Sequence, residues 1–288
     1  MGGLQVEFVN VFAIPEVPFS GNPLAVVTTG WDLPVATMQQ WARQFNLSET
    51  TFVRCGAEGE SPLDGPTADV RIFTPTVELP FAGHPTLGTA DVVAAVVGRD
   101  EVVLRVAAGD IAVCRTGAGW QLSAPPGAVR VDGTPIPEWA AALGLVVADV
   151  PGAAYRVDAG VEQVILQLAS PEAVRAARAE AVALRRLGLC PSGEALVYVW
   201  AWTGPHEVEA RLFFSQGGAV VEDPATGSAC ANLGTLWAHE GRRNLTVTVS
   251  QGAAIERPSR LVIGVGAASE VTVAGHVVRV GSGTLVEP

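Results

Sequence analysis

The sequence predicts an α/β (α+β) fold made of two similar halves, each a set of short strands around one buried helix. Three observations predict it. A strand–turn–helix unit is written twice: Arg71-Ile72-Phe73 leads at a fixed interval to Gly83 and Thr86, and Arg211-Leu212-Phe213 leads at the same interval to Asp223 and Thr226. The segments that follow, residues 86–97 and 229–238, are apolar almost all round, and such a helix has to be buried on every side. Short β-branched runs flank both segments.

In chain order, residues 6–12 and 24–28 read as strands on either side of a turn-rich stretch with Pro15, Pro18, Gly21 and Pro23. Asp32 is placed to N-cap a helix with Pro34 in its first turn. Met38, Trp41, Ala42 and Phe45 then recur at helical spacing, an amphipathic stripe suited to core packing. Residues 51–54 form a short β-rich run, 56–66 a hydrophilic turn, and 68–73 a strand. After the first apolar helix come strands at 102–106, 111–115 and 120–123. Ala124-Pro125-Pro126-Gly127 reads as the boundary, dividing the chain into domains 1–127 and 128–288, with the final strand free to pack back on the first. Pro135 and Pro137 open a helix through Leu145. Strands follow at 160–168 and 196–202, with a surface helix rich in Ala and Arg at 171–187 between them. The second apolar helix precedes strands at 245–249, 260–265, 271–273 and 277–280, the last two joined by a Gly-flanked turn that carries His276.

Composition narrows the chemistry. At 288 residues the chain supplies two units near the usual domain size of ~100–150. A net charge of −11 argues against a nucleic-acid or anionic-membrane surface. Every basic side chain is Arg. Without Lys, a pyridoxal phosphate Schiff base and a Walker-type phosphate loop are both excluded. Cys55, Cys114, Cys190 and Cys230 are scattered, which suits free thiols in a reducing compartment better than a disulfide framework or a metal site. The N-terminus lacks a signal-peptide pattern and no apolar run reaches membrane-helix length, so a cytoplasmic location is expected.

The repeated turns are the natural place for a site. Backbone N–H groups at a helix start, with the positive end of the dipole, bind carboxylates. Gly83, Gly88 and Gly227 let a ligand approach the main chain, and Ser228 offers a hydroxyl. The implied ligand is a small carboxylate. Of the four histidines, His84 alone lies in a repeated turn, where it serves either structure or chemistry. Asp223, the partner of Gly83 in the second copy, is either a helix cap or a ligand-binding group. Glu222 reads as a solvated neighbour. Glu49 reads on spacing alone as a loop carboxylate, and nothing in the spacing brings it toward the repeated turns. No clustered His or Cys suggests a metal, and no G-x-G-x-x-G follows a strand.

Several blocks also resemble a known family. Phe19-Ser20-Gly21-Asn22-Pro23-Leu24-Ala25-Val26-Val27, Ser48-Glu49-Thr50-Thr51-Phe52, the run Phe81-Ala82-Gly83-His84-Pro85-Thr86-Leu87-Gly88-Thr89-Ala90, Glu222-Asp223-Pro224-Ala225-Thr226-Gly227-Ser228-Ala229 and Arg257-Pro258-Ser259 are similar to the signature blocks of PhzF-like isomerases of phenazine biosynthesis, in the same order. The resemblance implies a diaminopimelate-epimerase-like fold, with two barrel-like, mostly antiparallel domains each around a central helix and the site between them. It implies a cofactor-independent isomerase, commonly a homodimer. In the family's phenazine enzyme, acting on a dihydro-hydroxyanthranilate, a Glu moves a proton between ring carbons; the matching residue is Glu49. Site-lining positions match His84, Asp223 and Ser228, and the turn glycine matches Gly83. Related epimerases use two opposed cysteines, which the repeat register places at Gly83 and Asp223, so a two-thiol mechanism is disfavoured.

The expected function is therefore proton transfer on a small carboxylate with an acidic C–H beside an unsaturated or carbonyl system. Glu49 is the base and then the acid. Gly83, His84, Asp223, Gly227 and Ser228 hold the substrate. The alternatives are a non-catalytic carboxylate-binding protein on the same fold and a cysteine-dependent racemase.

Overall fold

The protein is described by a computed structural model covering residues 4–30, 32–55 and 66–286. The fold is α+β and mostly sheet, as expected. Two compact units emerge: Met1–Leu122 with Ala274–Pro288, and Ser123–Val273.

The first unit contains β1 (Leu4–Ala13), β2 (Asn22–Thr28), α1 (Val35–Phe45), β3 (Glu49–Cys55), β4 (Ala68–Phe73), β5 (Glu78–Leu79), α2 (Gly83–Val97), β6 (Glu101–Val106), β7 (Gly109–Thr116) and β8 (Gly119–Ser123). Its sheet closes on itself. β1 pairs antiparallel with β2, β2 parallel with β3, β3 antiparallel with β4, and β4 parallel with β6. β6, β7 and β8 follow as antiparallel neighbours. A last strand pairs with both β8 and β1 and completes the ring. Closure gives each strand of the ring a partner on both sides. Inside lies α2, in contact with β1, β2, β3 and β6. Its residues from His84 to Ala90, and Val92 to Ala94, are buried. Only its final turn departs from the expected all-round burial, with Val96 and Val97 exposed.

The second unit contains β9 (Ala128–Val131), α3 (Ile136–Ala142), β10 (Ala154–Asp158), β11 (Glu162–Gln167), α4 (Pro171–Ala176), α5 (Ala181–Gly188), β12 (Leu196–Gly204), β13 (Glu207–Gln216), β14 (Ala219–Asp223), α6 (Gly227–His239), β15 (Leu245–Gln251) and β16 (Ser259–Val265). Its pairings repeat those of the first. β10–β11 is antiparallel, β11–β12 parallel, β12–β13 antiparallel, β13–β15 parallel and β15–β16 antiparallel. β14 lies on β13 as β5 lies on β4. α6, nearly all buried, touches β9, β10, β11 and β16. The duplication read in the sequence is thus a duplication of strand order. β17 (Val271–Leu285) begins in the second unit and ends in the first.

Both central helices carry the same tripeptide, Leu87-Gly88-Thr89 and Leu233-Gly234-Thr235. A Cβ on Gly88 would lie 2.6 Å from Leu24 Cδ2 and 2.7 Å from Val11 Cγ2. On Gly234 it would lie 2.6 Å from Val271 Cγ1. Glycine is needed here because helix backbone and strand side chains touch. The two tripeptides are spaced more widely than the two Arg-x-Phe strands, so the constant interval read in the sequence lapses at the helices. In the first copy the helix starts at Gly83; in the second it starts four residues past Asp223.

Several local expectations are corrected. Asp32 does not cap α1; Pro34 occupies the N-cap without a side-chain bond, and Asp32 pairs with Arg54 at 2.8 Å. The single surface helix at 171–187 is two helices, each with its own cap, Ser170 for α4 and Glu180 for α5, and both bury apolar faces that include Val174 and Leu184. The two C-terminal strands are one, and His276 lies within it opposite Ala13. Gly275 lies within that strand rather than in a turn, and its carbonyl approaches Gly119 so closely that a Cβ on Gly119 would lie 2.2 Å from it. The hydrophilic turn at 56–66 falls outside the described residues except for Pro66.

Gly88→Val forces branched carbons into Leu24 and Val11. An overpacking loss of about 1–3 kcal/mol is expected, read as a lower urea-unfolding midpoint with unchanged slope.

Candidate active site

Glu49 is the first residue of β3, opposite Leu24 in the parallel pairing with β2. It is therefore a strand residue, not a loop carboxylate. Its side chain is 17% exposed. His84 sits in the first turn of α2 and is 6% exposed. The two meet, with His84 Nδ1 3.3 Å from Glu49 Oε2. A hydroxyl pair one turn deeper, Thr51 Oγ1 and Thr89 Oγ1 at 2.9 Å, ties the same strand to the same helix.

The His84 ring is neutral. Burial pushes its pKa down to about 3, against the opposing pull of a hydrogen bond to the Pro23 carbonyl. Glu49 and His84 are therefore not an ion pair near neutral pH. The ring's hydrogen bond runs to the Pro23 carbonyl, and a neutral ring packed beside the carboxyl does not match its charge. An imidazole with so low a pKa is also no proton donor at pH 7.

In the second unit Asp223 closes β14, and Gly227 and Ser228 open α6. Asp223 is neither exposed nor fully buried. Thr226 Oγ1 donates to Asp223 Oδ2. Gln251 fastens the turn, its Nε2 donating at 2.9 Å to both the Asp223 carbonyl and Thr226 Oγ1. Gly252, at φ +78, leaves room for the Pro224 carbonyl, which a Cβ there would meet at 2.4 Å. Ser228 Oγ accepts from Gln163 Nε2 at 3.0 Å.

Glu222 is not a solvated neighbour of Asp223. Its carboxylate lies 2.6 Å from the Arg211 guanidinium, with side chains 7% and 9% exposed. Arg211 also donates to the Val174 and Ala177 carbonyls and lies over the Phe213 ring, 4.7 Å from its centre. The first unit repeats the arrangement. Arg71 pairs with Glu78 at 2.7 Å and lies 5.5 Å over Phe73. In both, the Glu stands opposite the Phe across an antiparallel pair, Phe73 with Glu78 and Phe213 with Glu222. Each brace anchors the strand just before the turn that carries the candidate groups. The Arg-x-Phe motif was visible in the sequence, but its Glu partners stand at unequal distances along the chain, so no fixed spacing reveals them.

Cys230 is fully buried in α6, and burial pushes its thiol up to about 12. It faces the Tyr198 hydroxyl at 3.6 Å. A thiol held so far from ionisation is no nucleophile or base at neutral pH. Grooves of about 460 and 420 Å³ run past Asp69 and Arg71 in the first unit, and neither is lined by Glu49 or His84. Among the described residues no helix is long and apolar enough to cross a membrane.

The sequence model of the phenazine biosynthesis-like protein family (PhzC-PhzF) matches residues 9–283. An uncharacterised isomerase of Pasteurella multocida is 37% identical over 98% of this chain and 94% of its own. The trans-2,3-dihydro-3-hydroxyanthranilate isomerase of Pseudomonas fluorescens is 35% identical over 97% of this chain and 99% of its own. The crystal structure of a PhzF-family phenazine biosynthesis protein from Bacillus anthracis superposes with a TM-score of 0.83 over 100% of both chains at 21% identity, a likeness of fold.

Two outcomes are expected. The folded His84 pKa of about 3 lies below the reference value of 6.5, so between them protons favour the unfolded chain and stability falls with pH. From pH 7 to 4.5 the wild type should lose about 2–3 kcal/mol more unfolding free energy than His84→Gln, measured by urea titration at each pH. Glu222→Ala strands a buried Arg211 charge and should cost about 3–5 kcal/mol, read from thermal and urea unfolding.

Proposed function

The chain belongs to the phenazine biosynthesis-like (PhzF) family of isomerases, and on that premise we propose that it moves one proton between two carbons of a small carboxylate. The observation that carries this reading is Glu49: a partly accessible carboxyl at a strand start, held against a neutral, buried His84. The Glu49 carboxylate takes a proton from an acidic C–H beside an unsaturated or carbonyl group. The electron pair left behind shifts along that system. The protonated carboxyl then returns the proton to the distal carbon of the same molecule. No atom is gained or lost and nothing is oxidised, so the step needs no cofactor.

His84 packs beside the Glu49 carboxyl, 3.3 Å away, and supplies no charge that would lock the carboxyl in its ionised form. A protonated imidazole there would favour the carboxylate and oppose the second half of the transfer. Gly83 opens the α2 helix beside them. In the second unit, the start of α6 presents backbone N–H groups at Gly227 and the Ser228 hydroxyl, which suit a carboxylate. Asp223, steadied by Thr226, suits an amino or hydroxyl group of the substrate. A relative is named for trans-2,3-dihydro-3-hydroxyanthranilate, which combines a carboxylate, an amine, a hydroxyl and a conjugated ring. The proposal takes a molecule of that class as substrate. In the same reading the enzyme acts as a homodimer in the cytoplasm, as the family resemblance implies. A cysteine-dependent racemase is disfavoured because the Cys230 thiol is buried and hard to ionise.

Glu49→Gln should lower kcat by roughly 10²–10⁴ with little change in ligand affinity, measured with trans-2,3-dihydro-3-hydroxyanthranilate as probe. In D₂O the wild type should place deuterium on the product carbon. Near-normal turnover by the variant would remove Glu49 from the reaction, and binding with neither turnover nor deuterium uptake would identify a binding protein instead.

A further inference from the structure

Behind Ser228 runs a chain of buried amide side chains whose polarity is set by the backbone. It starts at Asn232, on α6 one turn beyond Ser228 and fully buried. The Ala159 N–H donates to Asn232 Oδ1 at 2.8 Å. On its other side, Asn232 Nδ2 donates to the Val161 carbonyl at 2.9 Å. A backbone N–H only donates and a carbonyl only accepts, so these contacts leave Asn232 one orientation. Its Nδ2 also donates to Gln163 Oε1 at 2.9 Å. Gln163 is 1% exposed, and its orientation follows: with its oxygen committed to Asn232, its Nε2 turns to Ser228 Oγ at 3.0 Å. An amide nitrogen only donates, so Ser228 accepts. The Ser228 hydroxyl proton then lies off the Gln163 axis, and the hydroxyl makes no other hydrogen bond among the described residues. Ser228 is half-buried.

We propose that Gln163 and Asn232 are positioning residues that fix Ser228 as an outward hydrogen-bond donor, selecting an anionic oxygen of the substrate. Without them a serine hydroxyl rotates between donor and acceptor and discriminates poorly between a carboxylate and an amide or ammonium group. With them its polarity is set before the ligand arrives, and no reorientation is spent on binding. The inference rests on the reading of Ser228 as a substrate ligand, but the polarity of the chain stands apart from it.

Two experiments separate these. Neutron diffraction from the full-length protein exchanged into D₂O should show the Gln163 ND₂ group facing Ser228 Oγ, with the Ser228 deuteron turned off that axis. A Ser228 deuteron lying on the Gln163 oxygen would overturn the proposal, whatever the substrate. Kinetics with trans-2,3-dihydro-3-hydroxyanthranilate supply the second test. Ser228→Ala should raise KM roughly 10–100-fold. Gln163→Glu should raise it as much with kcat nearly kept, because the new carboxylate only accepts and draws the Ser228 proton inward. The double variant should be no worse than either single one. If Gln163→Glu were as damaging with Ser228 already removed, its effect would be general disruption and the positioning role would be lost. Failure of the wild type to turn over the probe would refute the proposed reaction and leave the neutron result to decide the polarity.

Discussion

The structure depends on how closely each central helix is held by the strands around it. At Gly88 and Gly234 the helix backbone rests on branched side chains with no room for a methyl group. A helix held so tightly has no flank left for polar chemistry. Thr89 is satisfied by Thr51, and Asn232 by backbone groups and Gln163, all within the interior. The candidate groups that the two central helices carry therefore lie at their starts, His84 on α2 and Gly227 and Ser228 on α6, where the dipole favours an anion. The strand that enters each turn is anchored by its own Arg–Phe–Glu brace, so the turn leaves from a fixed point.

Burial also decides what each candidate group can do. The most buried imidazole is kept neutral and the most buried thiol is kept protonated. That removes the ion pair which the proximity of Glu49 and His84 suggests at first sight, and it removes the thiol as base. What remains chemically mobile is a carboxyl that solvent still reaches. The half-buried Ser228 follows the same logic in hydrogen bonds rather than charge, since its donor character is inherited from backbone groups several residues away.

Much of this was legible in the sequence wherever the signal was local and periodic. The fold class followed from two all-apolar helical segments among β-branched runs, and the strand at Ala68–Phe73 was read to the residue. Signals that depend on tertiary contact were misread. Glu49 looked like a loop carboxylate because its neighbour Leu24 lies across a parallel pair, and parallel pairing leaves no trace in nearby spacing. Glu222 looked solvated because its burial comes from Arg211 on the adjacent strand. The glycine at 275 suggested a turn, but a glycine inside a long strand looks the same in sequence as one at a hairpin. Asp32 had the right chemistry for a helix cap, but Arg54 competed for it.

β17 has a consequence for how the protein is made. The first unit is built from residues up to Leu122 and again from Ala274 onward, on either side of the second unit in the sequence. On the ribosome, β1 emerges long before the strand that pairs with it, while the second unit is a continuous stretch already complete. The usual N-terminus-first order of folding during translation is thereby reversed. The N-terminal segment keeps an open seam until residues 274–285 have been made, and loss of those residues would open the ring around α2 rather than the second unit.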